Sequence, residues 1–131
     1  MSNSAASQFT VTSWEEKPFE GQAEGIKITQ ALVSKNYTGD ITGVGSVIYI
    51  MKHQADGTAS FIGLQQIDGT IAGRNGSFAL EQNGFFDGKE AKGTFEIKAG
   101  SGTGELAGLA GSGNFTAPIG QVGTLTLTYT L

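Results

Sequence analysis

The chain of 131 residues contains no cysteine, and that absence removes several chemistries at once. It excludes a disulfide staple, a thiolate nucleophile, Cys-ligated zinc and an iron–sulfur cluster. Histidine is reduced to His53 and arginine to Arg74. One histidine leaves any metal to be held mostly by carboxylates, so neither a metal nor a cofactor is expected. No apolar run approaches the roughly 20 residues of a membrane-spanning helix. Met1-Ser-Asn-Ser-Ala-Ala-Ser7 has neither the basic nor the apolar region of a secretory signal. The expectation is a soluble, cytoplasmic protein with no membrane partner. Positive charge is scarce and scattered, with 8 Lys+Arg against 12 Asp+Glu and a net charge of −4. A nucleic-acid partner needs concentrated basic residues and is not expected.

Glycine is what the chain has in excess: 21 residues, without a Gly-X-Y period. With 38% hydrophobic residues, neither collagen nor disorder fits, and the length suits one domain over residues 1–131. Helical periodicity is weak, whereas alternation with period two recurs. Leu125, Leu127, Tyr129 and Leu131 alternate with Thr124, Thr126, Thr128 and Thr130, the pattern of a half-buried strand. Phe95 and Ile97 alternate likewise with charged and polar neighbours. Ile26, Ile28 and Leu32 share a face opposite Lys27, Thr29 and Lys35.

Turn signals at Asp56-Gly57, Asp68-Gly69, Asn75-Gly76, Asn83-Gly84 and Asp87-Gly88 punctuate these runs, Asp68-Gly69 being equally a bend within a strand. Strands are read at 8–14, 25–36, 43–53, 58–72, 75–86, 91–98, 111–117 and 121–131. Eight antiparallel strands with short connections give a sandwich or an up-and-down barrel. Glycines inside strand patterns (Gly43, Gly45, Gly63, Gly93, Gly113, Gly123) favour the barrel, because a sheet that closes on itself needs local bends. The fold class expected is therefore all-β, a single antiparallel eight-stranded β-barrel. Residues 44–51 and 59–64 are apolar on both faces, so one face must be covered from outside. A homo-oligomer packed through these strands is expected.

Few motifs carry chemistry. Gly102-Thr-Gly104-Glu-Leu-Ala107 matches the dinucleotide fingerprint in form, but the glycines that follow cannot sustain the helix that would receive a phosphate. It reads as a tight loop. His53, at a strand end beside Lys52, reads as solvated. Trp14-Glu15-Glu16 offers a rigid apolar wall beside two carboxylates that point opposite ways in an extended chain. One of them placed in an apolar cavity would have a raised pKa and serve proton transfer. The alternative is a Trp plug with both carboxylates in water. Arg74 presents a planar fork for a carboxylate, with Glu81 and Glu105 as candidate partners.

Four segments carry a family resemblance: Trp14-Glu-Glu16, Asp56-Gly-Thr-Ala-Ser-Phe-Ile-Gly63, Gly73-Arg-Asn-Gly-Ser-Phe78 and Ser101-Gly-Thr-Gly-Glu-Leu-Ala-Gly-Leu-Ala-Gly-Ser-Gly-Asn-Phe115. In order, and over nearly the whole chain, they resemble the bacterial domain of unknown function thirty-two twenty-four family. That resemblance implies an allene-oxide-cyclase-like β-barrel and no particular activity. More distantly, Gly102 to Gly111 is similar to a glycine-rich segment of allene oxide cyclases and plant dirigent proteins. Their barrels form trimers and hold small apolar ligands, but their catalytic residues find no match here.

An eight-stranded barrel encloses side chains or one small ligand. The leading expectation is a cavity for a small, largely apolar molecule, bound by Trp14, Glu16, Tyr49, Gln65, Arg74 and Glu105. A second is a cofactor-free isomerase or cyclase in which Glu16 or Glu105 moves a proton. A third is a structural barrel filled by Phe61, Phe78, Phe85, Phe95 and Phe115.

Overall fold

A computed structural model describes residues 3–18 and 27–131. Ile26, expected to face the same way as Ile28, lies outside the described residues. Eight strands follow one another: β1 (Asn3–Pro18), β2 (Lys27–Gly39), β3 (Ile41–His53), β4 (Ala59–Ile71), β5 (Arg74–Phe86), β6 (Glu90–Ile97), β7 (Ala110–Pro118) and β8 (Gly123–Thr130). Each pairs antiparallel with its sequence neighbours, and β1 pairs with β8, so the sheet closes into one barrel with strand order equal to chain order. Among the described residues the only helical element is one 3₁₀ turn, Gly104–Leu106. No helix among them is long and apolar enough to cross a membrane.

Alternation decides what fills the barrel. Leu125, Leu127 and Tyr129 point inward from β8, as do Phe95 and Ile97 from β6, while the Thr set of β8 is exposed. Leu131 lies beyond the strand and is exposed. In β2 the expected phase is reversed: Thr29, Ala31, Val33, Lys35 and Tyr37 are buried, and Leu32 is exposed. The inward polar groups find hydrogen-bond partners, Thr29 at the barrel's rim and Lys35 inside, and Leu32 pairs on the outer surface with another apolar residue, Ile48.

Two of the five turn signals are turns, and Asp68-Gly69 takes its alternative place within a strand. Asp56-Gly57 joins β3 to β4, and Asp87-Gly88 joins β5 to β6. Asp68-Gly69 lies inside β4, where pairing with β3 continues without a break. Asn75-Gly76 and Asn83-Gly84 lie inside β5, which pairs continuously with β4. Gly84 is small because the Phe61 ring lies where its side chain would be. Gly63 meets the same demand: a Cβ there would lie 2.7 Å from the Tyr49 ring. The glycines thus make room for inward aromatic rings on neighbouring strands.

Chain direction alternates, so the β1–β2, β3–β4, β5–β6 and β7–β8 connections share one end, called here the upper end. The lower end is closed. The 3₁₀ turn packs beneath β5, and Leu106 and Leu109 are fully buried with Ile41, Ile67, Ile71 and Phe78. Phe61, Phe95 and Phe115 also point inward, but Phe85 points outward and is half-exposed, contrary to its expected filling role.

Candidate functional site

The described residues leave the upper half of the barrel unfilled. A cavity of about 610 Å³ opens between β1, the β7–β8 connection and the ends of β5 and β6. Its wall is aromatic and aliphatic: Phe9, Trp14, Tyr49, Met51, Phe61, Phe86 and Phe115, with Ala91, Ala117 and Ile119 toward the opening. Among the described residues that line it, one is charged, Lys35.

A β-bulge brings Trp14 to this wall. The pairing of β1 with β2 shifts register between Val11 and Ser13, which places Trp14 opposite Val33 and Glu16 opposite Ala31, both inward residues. An extra residue in one strand reverses the face of everything that follows it. Trp14 then stacks on Tyr49 at the mouth, ring centroids 6.0 Å apart and planes 27° from parallel.

Glu16 is held at the same mouth. Its carboxylate accepts hydrogen bonds from the Trp14 indole N–H at 2.9 Å and the Thr29 hydroxyl at 2.6 Å, and lies 2.9 Å from His53 Nε2. Burial works against its charge, but the bonds from Thr29, Trp14 and His53 together outweigh it and hold the carboxyl below its ordinary value of 4.5. The raised pKa expected of a cavity carboxylate is therefore not found. Its hydrogen bonds favour the ionised form, which accepts a proton and has none to give. His53, expected to be solvated, is instead half-buried and bound to Glu16 and Thr29.

A chain of buried polar side chains runs across four strands at the cavity floor. Lys35 Nζ donates to the Tyr49 hydroxyl at 2.6 Å, and Gln82 Nε2 donates to the same oxygen at 3.0 Å. Gln65 Nε2 donates to Gln82 Oε1 at 3.0 Å, and the Tyr37 hydroxyl donates to Gln65 Oε1 at 2.7 Å. Burial pulls the Lys35 ammonium down to about 8. The same cause pushes both tyrosine hydroxyls up, so they stay neutral. Lys35 Nζ also sits 4.7 Å from the Phe9 ring centroid and 5.2 Å from that of Tyr49, within cation–π range.

Of the six residues expected to bind a ligand, three meet at this cavity: Trp14 and Tyr49 on its wall and Glu16 at its rim. Gln65 is sealed within the polar chain and does not line it. Arg74 and Glu105 sit at the opposite end. Glu105 accepts from the Asn75 amide at 3.1 Å, and Glu81 is 3.7 Å from Lys98, so neither expected partner of Arg74 is paired with it. The match to the dinucleotide fingerprint is the loop around the 3₁₀ turn, and no longer helix follows it.

The outer surface carries a second feature. Glu15, Leu32, Ile48, Leu64 and Glu81 lie in register across β1 to β5, the three apolar residues being 45%, 48% and 55% exposed. A groove of about 530 Å³ follows this row.

Comparison with known proteins agrees with the barrel. The model of a family described as "Protein of unknown function (DUF3224)" matches residues 5–129. The chain is similar to a crystal structure of a DUF3224-family protein of unknown function from Shewanella oneidensis MR-1. The TM-score is 0.84 at 20% identity, over 100% of this chain and 98% of that one. No curated protein matches the chain.

Proposed function

The chain belongs to the DUF3224 family, and from its geometry we propose that the barrel binds one small, largely apolar molecule in its upper cavity. A single observation carries this reading: the apolar side chains that fill the lower half stop short, leaving about 610 Å³ walled by aromatic rings and open at one end. Ligand cavities of small molecules span roughly 300–1,000 Å³ and are predominantly apolar. The proton-transfer alternative has less behind it, because the hydrogen bonds from Thr29, Trp14 and His53 weaken Glu16 as a base and leave it no proton to donate, and Glu105 lies at the closed end.

A thermal-shift and native mass-spectrometry screen with apolar and amphiphilic small molecules tests the proposal. Binding to the folded state raises the melting temperature and adds one ligand mass per chain. Trp14, the chain's one tryptophan, stacks at the mouth and reports occupancy by a fluorescence change. Ala117→Trp, which places an indole in the cavity, is expected to abolish the shift while keeping the strand circular dichroism. Binding that survives this substitution would place the ligand elsewhere.

We also propose that the outer row of Leu32, Ile48 and Leu64 packs against a second copy of the chain, which would cover the apolar outer face of β3 and β4. Leu64→Glu is expected to lower the sedimenting mass to that of a 13.5 kDa monomer. A wild-type chain already monomeric at micromolar concentration refutes this.

A further inference from the structure

We propose that the cavity's occupant is a monoanionic amphiphile, a carboxylate on an apolar body, whose headgroup is clamped at the floor by Lys35 and Tyr49. This rests on the reading of the cavity as a binding site and assigns the chemical class of its ligand.

Lys35 is 4% exposed, yet no carboxylate is paired with it among the described residues. Every other described residue lining the cavity is uncharged. A buried ammonium without a counter-ion is unfavourable, and buried charges are ordinarily paired. Among the described residues, Lys35 has one hydrogen-bond acceptor, the Tyr49 hydroxyl, together with the faces of the Phe9 and Tyr49 rings. An ammonium has three N–H donors, so two remain for a ligand. Tyr49 is similarly unspent. Its oxygen accepts from Lys35 and from Gln82, which uses both lone pairs, and its own O–H has no acceptor among the described residues. Lys35 and Tyr49, both lining the apolar chamber, therefore hold hydrogen-bond donors that no group among the described residues takes up.

The donor set selects the headgroup. One positive charge balances one negative charge, which suits a carboxylate better than a doubly charged phosphate monoester. A charge-assisted N–H···O bond in a dry site is stronger than one to a neutral oxygen. The aromatic wall then takes the apolar body, which extends toward Trp14 and the mouth. An occupant bound this way would supply the counter-ion that the fold omits.

The test compares matched probes: decanoate against decanol, and naphthoate against naphthalenemethanol, titrated by Trp14 fluorescence at pH 7. Each carboxylate is expected to bind at least about tenfold more tightly than its alcohol. Lys35→Met is expected to abolish that preference, the acid and its alcohol then binding within about twofold of each other. Equal affinity of acid and alcohol for the wild-type protein overturns the headgroup assignment and leaves the cavity reading standing. Binding of neither probe overturns both. A carboxylate preference that persists in Lys35→Met places the anion elsewhere and also overturns the assignment. Tyr49→Phe provides a second arm, since it keeps the ring but loses the hydroxyl. It is expected to reduce the preference several-fold, and an unchanged preference excludes Tyr49 from the clamp.

Discussion

Lys35 makes the barrel's stability depend on alkaline pH in an unusual direction. Burial lowers its pKa from the ordinary 10.5 to about 8 in the folded protein. Between those values the unfolded chain holds a proton that the folded chain has released, so unfolding takes up protons and stability rises with pH. Below about 8 both states are protonated and the full penalty of the buried charge is present. Linkage over this window gives a gain of about 2–3 kcal/mol between pH 7 and pH 10, or roughly 10 °C in melting temperature. Above pH 10 the trend reverses. Burial raises the hydroxyls of Tyr37 and Tyr49, so the unfolded tyrosines ionise while the folded ones do not.

Lys35→Met isolates the effect, because the tyrosine limb and the mouth pair of Glu16 and His53 stay in both proteins. Met carries a similar stem without the charge. At pH 7 the variant gains relief from the buried ammonium and loses one hydrogen bond to Tyr49, for a net stabilisation of about 2 kcal/mol. At pH 10 that advantage is expected to have vanished. Urea unfolding followed by circular dichroism at pH 7, 8, 9 and 10 measures the difference directly. If the two proteins gain or lose stability in parallel from pH 7 to 10, Lys35 is not carrying a buried charge and the reasoning fails.

Two further predictions concern the mouth and a turn. Glu16 is held below 4.5 in the folded state, so its contribution is present above that value and is lost as pH falls through the lower folded value. Glu16→Gln should flatten the acid limb of a Trp14 fluorescence titration, and an unchanged limb refutes the assignment. Ala72 adopts φ 50 and is followed by Gly73 at φ 84, in the two-residue connection of β4 to β5. A left-handed conformation suits Asn better than Ala, so Ala72→Asn is expected to stabilise the protein by about 0.5 kcal/mol in urea unfolding.

The barrel was legible because strict alternation in β6 and β8 marked half-buried strands, and the in-strand glycines favoured a closed, curled sheet over a sandwich. The phase of β2 was not legible. Ile28 and Leu32 on one face and Thr29 and Lys35 on the other suggest an apolar interior, yet Ala31, Val33 and Tyr37 share the face of Lys35. Two partly apolar faces leave the choice to tertiary contacts, and those contacts are Tyr49 inside and Ile48 outside. The bulge near Thr12 was equally hidden, although it alone turns Trp14 and Glu16 toward the cavity. The separation of Arg74 and Glu105 from Trp14 was legible in principle. In an up-and-down barrel, alternate connections share an end, so the β4–β5 and β6–β7 connections must lie opposite the end of β1. The same parity brings His53, at the end of β3, to Glu16.

The polar chain gives the costly lysine a mechanical context. Its members come from four adjacent strands: Lys35 and Tyr37 from β2, Tyr49 from β3, Gln65 from β4 and Gln82 from β5. Each Gln carbonyl and amide is used within the chain, which fixes the side chains in one arrangement. Tyr49 is where that rigid belt meets the cavity, with Lys35 on its hydroxyl and Trp14 against its ring. An apolar residue at position 35 would stabilise the empty barrel at neutral pH, but it would leave the floor with no charge to recognise a headgroup. The lysine therefore makes the empty cavity less stable than the same barrel could be. A bound anion would relieve the strain where it arises, and through Tyr49 the change would reach the tryptophan at the entrance.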